Sequence, residues 1–390
     1  MIKNLLILDE INIAGGVETI QKNLIPEFCD LVDHTYWILP HSVANKYREY
    51  FKNLQNLKII DLEFERHSLH DYAKKILKIF FRNSILYEYF KNLRIKKTIQ
   101  QFHIDALFTT CIFTQLHPKT EIPTGGIFCD LNVEGELRRK VLSSLESWIK
   151  YSRFIFPISN ASRGALIETY PSARYLSETI PLAASKPKFN AKEKRKDNLF
   201  TFYYPSNAMP NKNHLCLFEA ILKLCRKRQD FQVILSGGNT DKFGNKGFFD
   251  DEQMSKTQKF YMQHKDILKN FIFGKGFVSE KEVAELYRSS SCVISSSSSE
   301  GFGFALSEGI AFGKPIIASD IKPFREQVVT YECASKVRFF KNQLSDSLKI
   351  QLDSMLSDPI AEMDDSEVQD ILNRWTWKQA AKLYINHLST

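Results

Sequence analysis

Short apolar runs alternate with helical patterns along the first half of the chain. The runs cover residues 5–8, 35–39, 57–62, 106–109, 126–129 and 154–158. Their length and their content of β-branched and aromatic residues are typical of buried strands, whereas the segments between them carry apolar residues at helical spacing. Alternation of this kind predicts a parallel sheet covered by helices.

The same pattern begins again in the second half. A polar, basic stretch at residues 192–197 is followed by apolar runs at residues 200–204, 233–236, 271–273, 292–295 and 316–318. The restart predicts a domain boundary, and a length of 390 residues suits two domains. We therefore predict two doubly wound α/β domains, residues 1–187 and 188–371, which face each other across a cleft and bind ligands at the carboxyl ends of their strands.

Composition narrows the protein class. Charged residues make up 25% and apolar residues 43%, as in ordinary globular proteins. No apolar run approaches the roughly 18 residues that cross a bilayer, and residues 5–8 are interpreted as a strand, not as a signal peptide. The seven cysteines are scattered and form no C-x-x-C pair, which excludes a disulfide framework and structural zinc. We expect a reducing, cytoplasmic location.

The net charge of +8 indicates an anionic partner. Between residues 74 and 97, eight basic residues and one acidic residue, Glu88, are interleaved with aromatic and aliphatic residues. Two interpretations stay open: a segment that contacts the inner face of a membrane, or a solvated helix with an apolar stripe facing the core. No nucleic-acid-binding signature accompanies the charge, so we predict no nucleic-acid partner.

The richest stretch of sequence is residues 277–320. Ser279 and Glu282 fit a capping box at the start of a helix. A buried strand at residues 292–295 then leads into a serine run, the motif E-G-F-G at residues 300–303, and a helix that we expect to end at Phe312 before Gly313. Strand, glycine-rich loop and helix follow in the order that a phosphate-binding site requires.

Two glutamates frame the start of this helix. Glu300 and Glu308 are eight residues apart, or roughly 12 Å at 1.5 Å per helical residue, which is too far for a close carboxylate pair. We expect them to hold separate parts of one extended ligand. For Glu308, simple stabilisation of the helix dipole is the alternative.

A second glycine-rich turn follows the first predicted strand. Gly15 and Gly16 open a helix, where their amides could hold a phosphate or carboxylate oxygen, although a turn with positive φ explains them equally well. The turn is not the G-x-G-x-x-G of a dinucleotide site, which disfavours a dehydrogenase.

Several of these segments together resemble one enzyme family. The matching strings are F-V-S at residues 277–279, V-A-E-L-Y at 283–287, E-G-F-G at 300–303 with Glu308, and G-K-P-I-I-A-S-D at 313–320. They are similar to the retaining glycosyltransferases of GT-B fold in glycosyl transferases group 1, which include sucrose synthase and many bacterial mannosyltransferases. The resemblance implies two Rossmann-like domains, with residues 372–390 forming a helix that returns to the N-terminal domain.

The resemblance also implies roles for residues of the second half. Glu300 would be catalytic and contact hydroxyls of the transferred sugar, while Glu308 would accept both ribose hydroxyls. Gly276 and Phe277 would flank the base. The backbone amides facing the sugar and phosphates would be those of Phe302, Gly303 and Phe304.

The diphosphate would be held by Lys212, which matches the family lysine. Asn207 stands where the family usually has arginine, so one phosphate cation is missing. Asn207 could serve as a neutral donor, or Lys275 or Lys314 could replace the arginine.

In the first half, Gly15 and Gly16 resemble the family's glycine pair near the donor phosphates. Cys129 stands where a histidine is common, and Asp130 follows it. Asp130 would orient the acceptor; capping of the segment after it is the alternative.

The sequence therefore predicts a retaining glycosyltransferase that moves a hexosyl unit from a nucleotide diphosphate sugar to a glycan or lipid-linked acceptor, in bacterial surface polysaccharide biosynthesis. The absence of an Asp-x-Asp motif predicts a metal-independent enzyme without a cofactor. The alternatives are an inert member that binds a nucleotide sugar, or a GT-B epimerase or phosphorylase.

Overall fold

The computed structural model describes residues 2–10, 15–62, 85–133, 135–185 and 199–390. Its internal contacts divide the chain into two compact units. The N-terminal unit comprises Met1–Leu182 and Trp377–Thr390, and the C-terminal unit comprises Ala183–Thr376.

The described residues of the N-terminal unit form a six-stranded, all-parallel sheet. Its strands are β1 (Asn4–Leu8), β2 (His34–Leu39), β3 (Leu57–Asp61), β4 (Ala106–Thr109), β5 (Thr124–Phe128) and β6 (Phe154–Pro157). They lie in the order β3-β2-β1-β4-β5-β6. The helices are α1 (Gly16–Leu31), α2 (His41–Tyr50), α3 (Ile85–Gln101), α4 (Gly135–Tyr151) and α5 (Asn160–Thr169), with a 3₁₀ turn at Pro171–Tyr175.

The C-terminal unit repeats this topology in its described residues. Its strands are β7 (Phe200–Pro205), β8 (Phe231–Ser236), β9 (Ile272–Gly274), β10 (Cys292–Ser295), β11 (Ile316–Ser319) and β12 (Val337–Phe340), in the order β12-β11-β10-β7-β8-β9. The helices are α6 (His214–Leu224), α7 (Glu252–Gln263), α8 (Lys265–Leu268), α9 (Glu280–Ser289), α10 (Phe304–Ala311), α11 (Lys322–Tyr331), α12 (Ser345–Ser357) and α13 (Asp365–Asn373). Short 3₁₀ turns cover Pro210–Lys212 and Ala334–Lys336.

The last helix, α14 (Trp377–Ser389), packs in the N-terminal unit against α1. Tyr384 on α14 is fully buried, and its ring lies 5.0 Å from the rings of Phe108 and Phe156, measured between centroids. Burial of so large an aromatic side chain ties the end of the chain to the first sheet.

The predicted doubly wound α/β class is confirmed by both sheets. Every strand predicted from the apolar runs is present with bounds within two residues of the prediction. β12 was not predicted because it is a four-residue strand at the edge of its sheet and includes the charged Arg338. The capping box of Ser279 and Glu282 at the start of α9 is also confirmed.

In each sheet, the strand that comes first along the chain lies beside the strand that comes fourth. The second and third strands extend the sheet on one side of this pair, and the fifth and sixth extend it on the other. In the C-terminal unit, α6 after β7 packs into one core cluster and α10 after β10 packs into the other. Consecutive residues of β7, Phe202 and Tyr203, belong to these two clusters and point to opposite faces. The loops after β7 and β10 therefore meet at a topological switch point, where doubly wound sheets bind ligands.

The basic segment at residues 74–97 is described only from residue 85 onward; residues 74–84 lie outside the described residues. Within α3, Lys91 is not a surface charge. Its side chain is 1% exposed, and its Nζ lies 2.9 Å from Glu10 Oε1 and 2.6 Å from Glu88 Oε2. Lys96 and Lys97 on the same helix are exposed. Lys91 therefore does not add to a basic surface, because this lysine compensates carboxylates within the fold.

No helix in the described ranges combines the length and the apolar character that a membrane span requires.

We expect Lys91→Met to lower the free energy of unfolding of the N-terminal unit by about 3 to 5 kcal/mol at pH 7, because it leaves Glu10 without its compensating charge. Desolvation already raises the pKa of Glu10. The loss should therefore shrink as the pH falls and Glu10 becomes protonated.

Lys96→Met, at an exposed position of the same helix, is the matched control and should change stability by less than about 0.5 kcal/mol. Urea unfolding at pH 7 and pH 5 measures both variants. Equal, small effects would show that the Lys91 pair contributes no net stability.

Candidate functional site in the C-terminal unit

Two loops are joined at the switch point of the C-terminal sheet. The Ser298 amide donates to Asn211 O at 2.7 Å, and Asn211 Nδ2 donates to Ser299 O at 3.2 Å. Ser296 Oγ donates to Lys212 O at 3.1 Å. The serine run thus holds the loop after β10 against the loop after β7, because short hydroxyl side chains can satisfy nearby backbone groups.

Groups from the sheet support this junction from below. Tyr204, fully buried on β7, donates from its hydroxyl to Lys212 O at 2.7 Å. Asn342 Nδ2 donates to Ser298 O at 3.0 Å, and the hydroxyl of Ser319, on β11, donates to Ser297 O. Because these donors are fixed by the sheet or by its adjoining turns, they define the conformation of both loops.

The junction brings Lys212 and Glu300 together. Lys212 Nζ lies 2.5 Å from Glu300 Oε1, and the two side chains are 22% and 11% exposed. Such partial enclosure strengthens the attraction of the charges relative to an exposed pair. The cation and the carboxylate that the sequence assigned to one ligand are therefore direct neighbours.

The loop that follows Glu300 turns sharply into α10. Gly303 precedes this helix with φ 88°, and a Cβ at this position would lie 2.2 Å from Phe324 Cε1. Only glycine fits both the backbone conformation and the contact. No side chain caps the helix, and in the part of the chain that the structure describes the amides of Gly303 and Phe304 donate to no protein acceptor. The positive end of α10 is thus available to an anion.

Glu308 lies one turn inside α10, where Tyr287 donates a hydrogen bond from its hydroxyl to Glu308 Oε2 at 2.6 Å. The Tyr287 ring is buried, stacks on Phe312 with centroids 4.6 Å apart, and meets Tyr203 edge to face. Desolvation raises the pKa of Glu308 to about 7, and the hydrogen bond from Tyr287 opposes this shift. Near neutral pH, this carboxyl group can therefore change between donating and purely accepting hydrogen bonds. The sequence did not single out Tyr287 for this role, although it lies in the V-A-E-L-Y string.

Asn207, at the position of the missing arginine, is exposed and shapes a neighbouring turn. Its Oδ1 accepts a hydrogen bond from the Gly238 amide at 2.6 Å. Gly276 lies nearby with φ 67°, its carbonyl accepting from the Gly237 amide at 2.8 Å, and Phe277 is 81% exposed. These three residues, which the sequence predicts to bind the nucleotide sugar, thus lie on the loops at the carboxyl ends of β7 and β9.

Of the two lysines proposed to replace the arginine, Lys275 is exposed beside Gly276. Lys314 is buried, and its Nζ lies 2.8 Å from Glu362 and 2.9 Å from Arg288 O. It follows the C-terminal end of α10, opposite the end that would attract an anion. The prediction that Lys314 could replace the arginine as a phosphate-binding cation is therefore wrong.

The remaining predicted site residues belong to the N-terminal unit. Gly15, with φ 102°, immediately precedes α1, and Gly16 is the first residue of that helix. Asp130 Oδ1 accepts a hydrogen bond from the Asn132 amide at 2.9 Å, which is the local cap anticipated as the alternative. Cys129 Sγ lies 3.9 Å from Cys111 Sγ. Across the described ranges, no three His, Cys, Asp or Glu side chains form a group that could hold a metal ion.

Comparison with known proteins finds one matching family model and related curated proteins. Residues 185–369 match the family model of Glycosyl transferases group 1. The serotype-specific mannosyltransferase WbdA of Escherichia coli is 26% identical over 179 residues, which is 46% of this chain and 20% of the relative. The chain thus spans about a fifth of the length of the curated relatives it matches.

Solved structures resemble the whole chain. A glycosyltransferase of Rickettsia africae has a TM-score of 0.69 at 18% identity and covers 99% of this chain and 98% of its own. The Anabaena protein Alr3699/HepE, solved with UDP and glucose, has a TM-score of 0.67 at 15% identity and covers 99% of both chains. These similarities establish a shared fold.

We expect Gly303→Ala to destabilise the C-terminal unit by about 2 to 5 kcal/mol, because alanine would be strained at positive φ and its Cβ would collide with Phe324. Gly247→Ala is the matched control. It has φ 73° with nothing within 4 Å of the new Cβ, so only the backbone cost of about 1 to 2 kcal/mol should appear. Thermal unfolding measures both variants. Equal losses would show that the contact with Phe324 is unimportant.

Tyr287→Phe should raise the pKa of Glu308 above its value of about 7, because the variant loses the hydroxyl that favours the ionised carboxylate. A ¹³C NMR titration of the Glu308 carboxyl carbon measures the change. Tyr261→Phe, at a half-buried tyrosine of the same unit, should leave this titration unchanged. An unaltered or lower pKa in Tyr287→Phe would contradict the assigned hydrogen bond.

Proposed function

We propose that the protein is a retaining glycosyltransferase, because residues 185–369 match the family model of Glycosyl transferases group 1 and the chain has the two-sheet α/β architecture of the GT-B fold. It moves a hexosyl unit from a nucleotide diphosphate sugar to a glycan or lipid-linked acceptor. One observation carries the proposal: Lys212 and Glu300 form an ion pair next to the uncapped N-terminus of α10.

The donor diphosphate occupies the positive side of this arrangement. Lys212 supplies a mobile charge, and the amides of Gly303 and Phe304 supply fixed dipoles. When a nucleoside diphosphate leaves, negative charge develops on its β-phosphate, and preorganised donors stabilise that charge without reorganising. These groups do the work that a divalent ion does elsewhere, so the proposed enzyme is metal-independent.

Glu300 binds hydroxyls of the transferred sugar, and Glu308 accepts both ribose hydroxyls. When the diphosphate attracts Lys212, Glu300 gains free lone pairs for the sugar. Glu308 must be ionised to accept two hydroxyl donors at once, and Tyr287 supports that state. The exposed Phe277 provides an apolar surface for the base.

The reaction proceeds on one face of the sugar. The acceptor hydroxyl oxygen forms a bond to the anomeric carbon while the bond from that carbon to the phosphate oxygen breaks. The departing phosphate oxygen takes the hydroxyl proton. The protein contributes chiefly by holding the two reactants in position and by stabilising charge. Asp130 of the N-terminal unit orients the acceptor, and its Asn132 contact fixes the side chain.

The names of the relatives suggest the donor and the pathway. The Escherichia coli relatives are serotype-specific mannosyltransferases, which supports a hexose donor and a role in surface polysaccharide synthesis. The Anabaena protein binds UDP and glucose, which supports a nucleotide diphosphate sugar. A cytoplasmic protein that touches the inner face of the membrane through the basic segment would reach a lipid-linked acceptor.

The second candidate function is that of an inert member that binds a nucleotide sugar without transferring it. Asn207 and Cys129 favour it, because they replace the arginine and histidine of the family pattern. This protein would bind the donor but release no nucleoside diphosphate from it.

A thermal-shift panel of UDP-, GDP-, ADP- and dTDP-sugars should reveal one stabilising base, because a ligand that binds only the folded state raises the melting temperature. With that donor and a chelator present, the parent should transfer the hexosyl unit slowly to water, which releases nucleoside diphosphate and free hexose. Lys212→Met should lower kcat/KM by about 10- to 150-fold, the equivalent of one charge-assisted hydrogen bond.

Lys227→Met, at an exposed lysine beyond the C-terminal end of α6, is the control and should change kcat/KM by less than about twofold. A loss in Lys275→Met with none in Lys212→Met would transfer the phosphate role to Lys275. Binding without turnover in the parent would establish the inert candidate, and loss of turnover in chelator would contradict metal independence.

A further inference from the structure

Gln327, on α11, contacts the glycine-rich loop from behind. It is 2% exposed, and its Nε2 donates to Phe302 O at 2.6 Å and lies 3.4 Å from Gly303 O. Only the side-chain nitrogen of Gln327 can donate to carbonyl oxygens, so these two contacts determine which end of its amide group faces the loop. In the described part of the chain, its Oε1 accepts from no protein donor. Among the described residues, the hydrogen bonds of this side-chain amide therefore all go to the loop.

Holding a carbonyl also aims the next amide. A trans peptide unit is planar, and its C=O and N–H bonds point in opposite directions. When Gln327 holds Phe302 O, the N–H of Gly303 points away from α11. Gly303 O accepts from the Leu306 amide at 3.2 Å as well as from Gln327 at 3.4 Å, so the N–H of Phe304 is aimed jointly by the first turn of α10 and by Gln327.

In the described ranges, neither of these two amides donates to a protein acceptor. Gly303 is also pressed against Phe324 of α11, so the helix fixes the loop both by packing and by hydrogen bonding. A polar residue buried at this place costs desolvation energy, and a simple packing role would be served by an apolar side chain. A polar residue at position 327 is explained if its role is to hold the carbonyl groups of the loop in one orientation.

We propose that Gln327 is a positioning residue for the donor diphosphate: it turns the Gly303 amide toward the phosphate oxygens and, together with the first turn of α10, the Phe304 amide. The proposal rests on the function proposed above and assigns this role to a residue of α11 that contacts no ligand itself. Without Gln327, the peptide plane between Phe302 and Gly303 would rotate and the diphosphate would lose a fixed donor, while the nucleoside part would bind as before.

Gln327→Met tests this assignment because methionine has a similar length and no donor. Calorimetry with UDP, GDP, ADP and dTDP identifies the diphosphate that the parent binds, and the matching nucleoside is measured beside it. The variant should bind the diphosphate about tenfold or more weakly, as expected for one lost hydrogen bond, while nucleoside affinity stays within about twofold. Gln369→Met, at an exposed glutamine on α13, should change neither affinity.

Gln327→Glu adds a readout that a purely structural role would not produce. When protonated, the buried glutamic acid donates to Phe302 O; when ionised, it repels both carbonyls. The ratio of its diphosphate affinity to that of the parent should therefore fall as the pH rises. Comparison with the parent at each pH removes the titration of the phosphate and of Glu308.

The outcomes separate the two proposals. If the parent binds a nucleoside diphosphate and both variants bind it equally well, the role of Gln327 is overturned and the proposed function stands. If the parent binds none of the four, both proposals are overturned. Should Gln327→Met fail to fold, ¹⁵N NMR of the parent decides: the Gly303 and Phe304 amides should shift with the diphosphate and not with the nucleoside, and the reverse result contradicts the proposal.

Discussion

The ion pair between Lys212 and Glu300 sets the state in which the site receives its ligand. Neither charge is well solvated, so each needs a partner within the protein until a ligand takes over. In the function that we propose, a diphosphate competes with Glu300 for the lysine, and sugar hydroxyls replace the lysine at the carboxylate. Binding thus exchanges one set of charge-assisted contacts for another, without leaving a buried charge uncompensated.

This exchange requires the loops after β7 and β10 to be held at fixed positions relative to each other, and the sheet holds them there. β7 and β10 are neighbours, so the loops that follow them emerge side by side. The serine run and Asn211 join the loops through their backbones, and Tyr204 supports the join from inside the sheet. The chemistry is therefore placed by hydrogen bonds between loops, while the hydrophobic clusters on both faces fix the strands beneath them.

The fold could be predicted from the sequence because buried parallel strands and amphipathic helices have a strong local signal. The E-G-F-G loop could be found for the same reason, since it combines a glycine turn with a helix start. The contacts of Tyr287 and Gln327 could not, because each joins residues distant in sequence and leaves no local pattern. Lys91 and Lys314 were misjudged for a related reason: a lysine in the sequence does not reveal whether a carboxylate will lie beside it in the fold.

A double-mutant cycle for affinity toward the sugar-free nucleoside diphosphate tests the exchange most directly, with Lys212→Met, Glu300→Gln and the double variant. Calorimetry should show weaker binding for Lys212→Met, and equal or tighter binding for Glu300→Gln, because the lysine is released from its competitor. The double variant should bind like Lys212→Met. If Glu300→Gln weakens binding independently of Lys212, so that the two losses add, the competition between carboxylate and diphosphate for this lysine does not exist.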